Sequence, residues 1–532
     1  MGTSLSLFSE SIFKRTYSFH DQESWEACAA RVAKAIADDK KQEKAFFEII
    51  RDRVFIPGGR YLYSSGREIK QYSNCFGFLA KDSREGWANL LQDVTMCLSM
   101  GGGLGVNYSE VREKDAPIRR MGGKASGPKA LMHMVNEVAR HVMAGGKRRS
   151  ALWAGLNWNH PDIMDFIQAK DWNDDIKAMK AKNFDFPAPM DMTNMSVIIG
   201  NEYLNKLHSG DPNVTQMHTK ICEYMLRTGE PAFLNMSLRL KDDPGATTTN
   251  ACTESTLHPH DTCNLGSVVL PRIKSLEQME TVTRLAIKFL YNGSLKAHYP
   301  TDKIASVAQA NRRIGLGIMG LHEFMLLHDH KYEWFPKLEQ YLHVWQEASD
   351  DEAKKYSRHV NEAPPIARRA IAPTGTISIV AETTSGIEPV FCSAYRRRYI
   401  DAGQYKFQYV VDPTVRRLIE LGVPSKNIED AYTLSFDVRR RLEVNAQVQR
   451  FTDQAISSTV NLPRFDQNVI TVPEFADLMK EYLPRLKGIT TYPDGARSGQ
   501  PLSPVSIEEA MSNEGVVFEE DGERCAQGVC GL

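Results

Sequence analysis

The chain has 532 residues, with 65 Lys and Arg against 66 Asp and Glu, so a formal net charge of -1 gives no reason to expect nucleic acid or an anionic membrane as its main partner. Hydrophobic residues make up 42% and charged residues 25%, ordinary for a globular chain. No apolar run approaches the ~18 residues of a membrane span, and "MGTSLSLFSESIFKRTYSF" lacks the apolar core of a secretory signal.

In chain order, residues 1–70 are expected to be mostly helical. "SWEACAARVAKAIADD" and "KQEKAFFEIIRDRV" repeat apolar residues three and four apart, until Pro-Gly-Gly in "FIPGGRYL" interrupts. From 71 to 498, short β-like runs ("CFGFLA", "SVIIG", "ISIVA") alternate with longer helical stretches, the signature of an α/β architecture. Asp82 and Glu85 have capping-box spacing ahead of Trp87, Leu90, Leu91, Val94 and Leu98 at helical periodicity, and "GGGLG" (101–105) stops that helix. Residues 499–532 are acidic and glycine-containing, and are expected to form a mobile tail.

Nine cysteines at 28, 75, 97, 222, 252, 263, 392, 525 and 530 do not form a disulfide scaffold, and they point to a reducing compartment such as the cytoplasm, that of a host if the gene is viral. In "NACTE" an extended backbone would put Asn250, Cys252 and Glu254 on one face, a thiol between an amide and a carboxylate. Such a thiol can donate a hydrogen atom or proton beside a base, and burial would raise the glutamate pKa toward general-base work. A turn-forming loop with a small buried cysteine reads equally from these residues. Cys252, His258, His260 and Cys263 also offer two thiols and two imidazoles, but their spacing matches no common zinc pattern, so no metal site is expected.

"CAQGVC" ends the tail with two thiols that have no core to enter. A flexible dithiol arm suits thiol–disulfide exchange, and a tail of about 30 residues reaches roughly 30 Å. In "IAPTGTISIVAETTSGIEPVF" a Pro-Thr-Gly-Thr turn with Ser378 behind it could cradle phosphate oxygens, or could be a glycine turn before a buried strand.

Taken together, "SNCF", "SMGGGLGVNYSEVR", "GGKRRSALWAG", "NACTE", "CNLGSV", "RRIGLGIMGLHEF", "APTGTIS", "SGIEP" and "CAQGVC" resemble the ribonucleotide reductase catalytic subunit over residues 55 to 532. The resemblance implies an α/β fold, a ten-stranded α/β barrel with a central finger loop. It implies Cys252 as the thiyl-radical site, Glu254 as base on the 3′-hydroxyl and Asn250 as the partner that orients the sugar. Cys75 and Cys263 would supply the reducing equivalents, and Cys525 and Cys530 would be the shuttle served by thioredoxin or glutaredoxin.

By the same resemblance, Pro373, Thr374, Gly375, Thr376 and Ser378 would bind the substrate diphosphate, with Ser73, Asn74, Gly101, Gly102 and Gly103 near the nucleoside. Asp82 and Ser83 would hold a dNTP or ATP effector at the interface of an effector-dependent homodimer, read out through Lys147, Arg148 and Arg149. The family's N-terminal ATP-cone is not expected, because the helical start runs almost directly into the barrel. No Tyr-Tyr pair occurs, and "LKGITTYPDGAR" resembles the adenosylcobalamin-dependent enzymes. Adenosylcobalamin is therefore the expected radical source, the alternative being a separate small metal-radical subunit. A non-catalytic nucleotide-binding regulator would have no use for a renewable dithiol chain.

Overall fold

The structure is a computed structural model describing residues 5–119, 122–143, 150–183, 186–401, 404–467, 469–496, 502–513 and 517–519. It begins with helices Leu7–Thr16, Trp25–Ile36 and Lys40–Arg51, capped by Ser6, Ser24 and Asp39, whose side chains accept from backbone N–H groups three residues on. Their apolar faces (Phe13, Val32, Ile36, Phe46, Ile50) share one core with helix Leu276–Lys296.

The next layer is a sheet of ten strands: β1 (Phe55–Pro57), β2 (Cys75–Leu79), β3 (Gly103–Asn107), β4 (Leu152–Asn157), β5 (Thr193–Ile199), β6 (Ala232–Asn235), β7 (Thr262–Val269), β8 (Ile314–Met319), β9 (Thr459–Leu462) and β10 (Gly488–Pro493). Strands β2 to β6 run parallel in sequence order, each crossover carrying the chain back through helical segments. A second parallel set starts with β7 and β8 and ends with β9 and β10. Between them single parallel bridges join Leu316 to Arg369 and Ile371 to Ile456, so residues 369–371 complete that half. The halves meet antiparallel at two seams, Cys75 opposite Cys263 and Gly488 opposite Leu234. The ring therefore closes as two five-stranded halves, and β1 lies outside it, antiparallel on β7. Closure leaves the ring without an open edge, and the expected ten-stranded barrel is present.

Three local expectations need correction. The helix after β2 is Arg84–Ser99, and its N-cap is Ser83, whose hydroxyl accepts from Gly86 N, so the cap falls one residue later than read from Asp82, and Gly86 at the third helical position has no side chain to complete a capping box. Asp82 instead pairs with Arg112 at 2.7 Å. "ISIVA" is helical, within Gly375–Ala381, because a turn at Thr374 and the packing of Ile377, Val380 and Ala381 into the core override the β preference of its branched residues. Part of the segment expected to be mobile is ordered. Leu502–Pro504 and Val517–Glu519 add strands to the hairpin Ala394–Asp401/Gln404–Val411, with helix Ile507–Ser512 between them, because backbone pairing at a sheet edge holds even acidic sequence. Among the described residues no helix is long and apolar enough to cross a membrane.

Candidate active site at the finger tip

Between β6 and β7 the chain turns into the barrel. Residues 248–249 and 256–257 form a two-residue hairpin, Thr248 opposite Leu257 and Thr249 opposite Thr256, so 250–255 is its tip. Two glycines make room for it. A Cβ on Gly77 of β2 would stand 2.6 Å from Thr248 Cγ2, and one on Gly105 of β3 would stand 2.1 Å from the Thr249 carbonyl oxygen. The finger is tied to several walls: Asn107 of β3 donates to Thr247 O at 2.8 Å, Asn194 of β5 to Ala251 O at 3.2 Å, and Ala455 N to Glu254 O at 2.9 Å.

The tip is a turn, the second of the two backbone readings open from the sequence, and not an extended strand. Thr253 N donates to Asn250 O at 3.2 Å, and Thr253 has φ +65°, a left-handed conformation that a threonine adopts only under constraint from its surroundings. The turn breaks the strict alternation, yet it still gathers the expected side chains. Asn250 Nδ2 donates to Cys75 Sγ at 3.0 Å, and the Cys75 thiol donates to Glu254 Oε1 at 3.6 Å. Asn250 Oδ1 accepts from Ser255 N at 3.1 Å, which fixes the amide's orientation. Glu254 Oε2 is buried and accepts no hydrogen bond from a described residue. Asn250, Glu254, Cys75 and Cys263 are all buried, whereas Cys252 is half-buried.

Electrostatics follow from that burial. Desolvation pushes the Glu254 carboxyl above its usual range. It also raises Cys75, with the nearby Glu254, Cys263 and Cys252 acting in the same direction, and it brings Cys263 to about 12. Both thiols therefore keep their protons at neutral pH. Both are unbridged, and they are directly opposed across the β2/β7 seam. Opposed antiparallel residues have Cα atoms about 4.5–5.5 Å apart, within the roughly 4.4–6.8 Å that a disulfide spans. The register therefore puts the pair at a spacing suited to a disulfide.

The glycine run is packed against protein. A Cβ on Gly101 would meet Arg60 Nη1 at 2.1 Å, one on Gly102 would meet Phe76 at 2.3 Å, and one on Gly103 would come within 3.3 Å of Ala251 in the tip. Ser73 N donates to the Gln71 side chain, while Asn74 joins the seam through its N–H to Cys263 O and its carbonyl to Gly103 N. On the other half of the barrel, a cavity of about 620 Å³ is bordered by Pro373, Gly375, Ser378, Ser385, Thr459 and Tyr492. Thr374 (φ +52°) is buried and accepts from Gly386 N at 2.7 Å, and Thr376 is not part of the lining. His258 and His260 pair with Asp243 and Asp93, and among the described residues no group of three or more His, Cys, Asp or Glu side chains could hold a metal ion. Lys147, Arg148, Arg149, Cys525 and Cys530 lie outside the described residues. The sequence reading missed Gly77, for which an isolated glycine inside the strand pattern "CFGFL" was the available signal, whereas Gly105 belongs to the "GGGLG" run already singled out.

The profile described as "Ribonucleotide reductase, barrel domain" matches residues 73–210, 199–334 and 366–492, and "Ribonucleotide reductase, all-alpha domain" matches residues 3–70. Among curated proteins the chain is similar to the "Vitamin B12-dependent ribonucleoside-diphosphate reductase" of Mycobacterium tuberculosis, 27% identical with 94% of this chain and 81% of that one covered. It is also similar to the "Putative adenosylcobalamin-dependent ribonucleoside-triphosphate reductase" of Mycobacterium phage D29, 26% identical with 85% and 75% covered. Among solved structures it shares its fold with the "Actinobacillus ureae class Id ribonucleotide reductase alpha subunit" at a TM-score of 0.73 and 16% identity, over 92% of this chain and 97% of that one.

Proposed function

The chain belongs to the ribonucleotide reductase family as a catalytic subunit, an oxidoreductase that turns ribonucleotides into 2′-deoxyribonucleotides, and from that premise we propose that the finger-tip cluster carries the chemistry. A thiyl radical at Cys252 removes the ribose 3′-hydrogen atom while Glu254 takes the 3′-hydroxyl proton. The 2′-hydroxyl leaves as water after receiving a proton from the Cys75–Cys263 pair. Those two thiols give up two electrons and two protons and become a disulfide, and Cys252 returns the hydrogen atom to C3′. One ribonucleotide and two thiols thus yield one deoxyribonucleotide, one disulfide and one water.

The observation that carries this reading is the buried contact set Asn250–Cys75–Glu254, with Cys263 opposite Cys75. A neutral thiol is the form that donates a proton or a hydrogen atom, and burial keeps both seam thiols neutral. A carboxyl raised by burial suits general-base work near neutral pH, and its free Oε2 suits a substrate hydroxyl. The hydroxyl-bordered cavity beside Ser378 suits the substrate phosphates through side-chain O–H and backbone N–H groups, with its two lining carboxylates engaged elsewhere, Glu388 with Arg441 and Asp412 with the Thr414 and Val415 N–H groups.

The radical source is read as adenosylcobalamin, the group named for the curated relatives, which when bound supplies the first radical at Cys252. The residues fit a source delivered from outside the cluster, since Cys252 is half-buried while its partners are buried. The second reading, a separate metal-radical subunit, finds no adjacent tyrosine pair in the sequence to relay through. Cys525 and Cys530 would re-reduce the seam disulfide with thioredoxin or glutaredoxin. A dNTP at Asp82 and Ser83 would promote a homodimer and select the base. Residues 1–70, 71–498 and 499–532 would be the helical, barrel and redox parts. The test is reduction of a ribonucleotide by the purified chain with dithiothreitol, with and without adenosylcobalamin. Turnover only with the cobalamin supports the reading, and turnover only with an added subunit replaces it.

A further inference from the structure

Below the tip, the two arms of the finger carry charged side chains that the chemistry above leaves unused. Asp243 precedes Asn250 by seven residues on the outgoing arm, and Asp261 follows Glu254 by seven on the returning arm, with His258 between. Both carboxylates converge on Arg313, whose side chain is 0% exposed. Arg313 Nη2 stands 2.8 Å from Asp243 Oδ2, and its Nε donates to Asp261 Oδ2 at 2.8 Å. Asn311 Nδ2 also donates to Asp261 at 2.8 Å, and Asp243 meets His258 Nε2. Although burial acts to raise the Asp243 carboxyl, His258 and Arg313 hold it below its usual range.

Arg313 stands immediately before β8, whose first residue, Ile314, is in register with Asn264, the neighbour of Cys263 on β7. The guanidinium therefore ties both arms of the finger to the start of β8, the parallel neighbour of the strand that carries Cys263. A fully buried charge cluster is weak evidence for stability, because well-packed apolar residues would serve as well. What a rigid guanidinium adds is a fixed spacing between the carboxylate that accepts from its Nε and the one that pairs in charge with its Nη2, which lysine's single ammonium does not reproduce.

We propose that Arg313 is a positioning residue, which through Asp243 and Asp261 fixes the finger's arms and so sets where Cys252 stands relative to Cys75 and Cys263. This rests on the reading of Cys252 as the radical site, and it can be measured without turnover. The full-length chain and its Arg313→Lys and Arg313→Gln variants would be alkylated in the native state with iodoacetamide, and each cysteine followed by mass spectrometry. The buried Cys28, Cys97 and Cys222, in the helical core and outer barrel layers, report global loosening.

The expected result is alkylation of Cys75 and Cys263 about tenfold faster in both variants, with Cys28, Cys97 and Cys222 unchanged. Turnover should fall about 10²-fold, the cost of a small misplacement of reacting groups, while substrate affinity stays within about twofold, because the phosphate cavity lies on other elements. The charge-conserving Lys variant keeps the test open if Arg313→Gln does not fold. Unchanged seam reactivity and full turnover in Arg313→Lys would overturn the inference, as would an equal rise at all buried cysteines. Undiminished turnover in Cys252→Ser would instead overturn the catalytic reading, whatever the alkylation map shows.

Discussion

Asn250 and Cys75, 175 residues apart in sequence, meet inside the barrel with the Asn250 amide donating to the Cys75 sulfur at 3.0 Å. This contact joins the finger tip, which carries the proposed radical site, to the β2/β7 seam, which carries the proposed reductant. Glu254 completes the set through the same sulfur.

Glu254→Gln should lower turnover by about 10²–10⁴-fold, the usual range for lost general-base assistance. It should also alter stability in a pH-dependent way. Burial raises the Glu254 pKa, so the native chain holds this proton at pH values where the unfolded chain has released it. The native advantage is complete below the unfolded carboxyl pKa of about 4.3, and it is lost as pH rises through the native value. Glutamine has no proton to lose, so the melting temperature of the variant should gain on wild type as pH rises through that window. A difference in melting temperature that is flat with pH would contradict the assignment.

Gly105→Ala should displace the finger, since the new methyl group would stand 2.1 Å from the Thr249 carbonyl oxygen. Overpacking of this kind costs about 1–3 kcal/mol, and turnover should fall with it. Gly200→Ala is the control: nothing lies within 4 Å of its Cβ position, and the effect should stay within about 1 kcal/mol, the loss expected where alanine replaces glycine at a helix N-cap, with turnover unchanged. Denaturant melts and steady-state rates of the two variants check this.

Serine at both Cys525 and Cys530 should stop thioredoxin-driven turnover, because a folded reductase cannot reach thiols buried at the seam. Dithiothreitol should restore at least part of the rate. Full thioredoxin-driven turnover would show that the tail is not the shuttle.

Asp82→Asn should abolish effector-dependent choice of base and effector-promoted dimerisation, read by competing substrates and by sedimentation. Asp82 holds Arg112 at 2.7 Å, next to the Ser83 cap of helix Arg84–Ser99, and loss of the charge removes that pairing. Unaltered base selection by dNTP would move the effector site elsewhere.

Much of this site was legible before the fold. "NACTE" stands out because a thiol between an amide and a carboxylate is an unusual chemical grouping, "SNCF" was legible only through the family resemblance, and the structure brings Asn250, Glu254 and Cys75 into contact. The failures have physical causes. Ser83 took the cap expected of Asp82 because its hydroxyl reaches Gly86 N, while the aspartate found Arg112. "ISIVA" became helix because core packing outweighs the preference of branched residues. Arg313 was seen only as part of "RRIGLG". A buried charge and a solvated one look alike in sequence, and its partners Asp243 and Asp261 are brought to it only by the folding of the finger.

The central claim is that Cys252 starts the reaction while Cys75 and Cys263 supply its electrons, and a single-turnover thiol map tests it most directly. The chain with serine at 525 and 530 would be pre-reduced, freed of reductant, given ribonucleotide and its radical source, then trapped and mapped by mass spectrometry. The account predicts one deoxyribonucleotide for each Cys75–Cys263 disulfide, with Cys252 still a thiol, and neither product nor disulfide in Cys252→Ser. Deoxyribonucleotide formed while Cys75 and Cys263 both remain reduced, or formed by the Cys252→Ser chain, would contradict it.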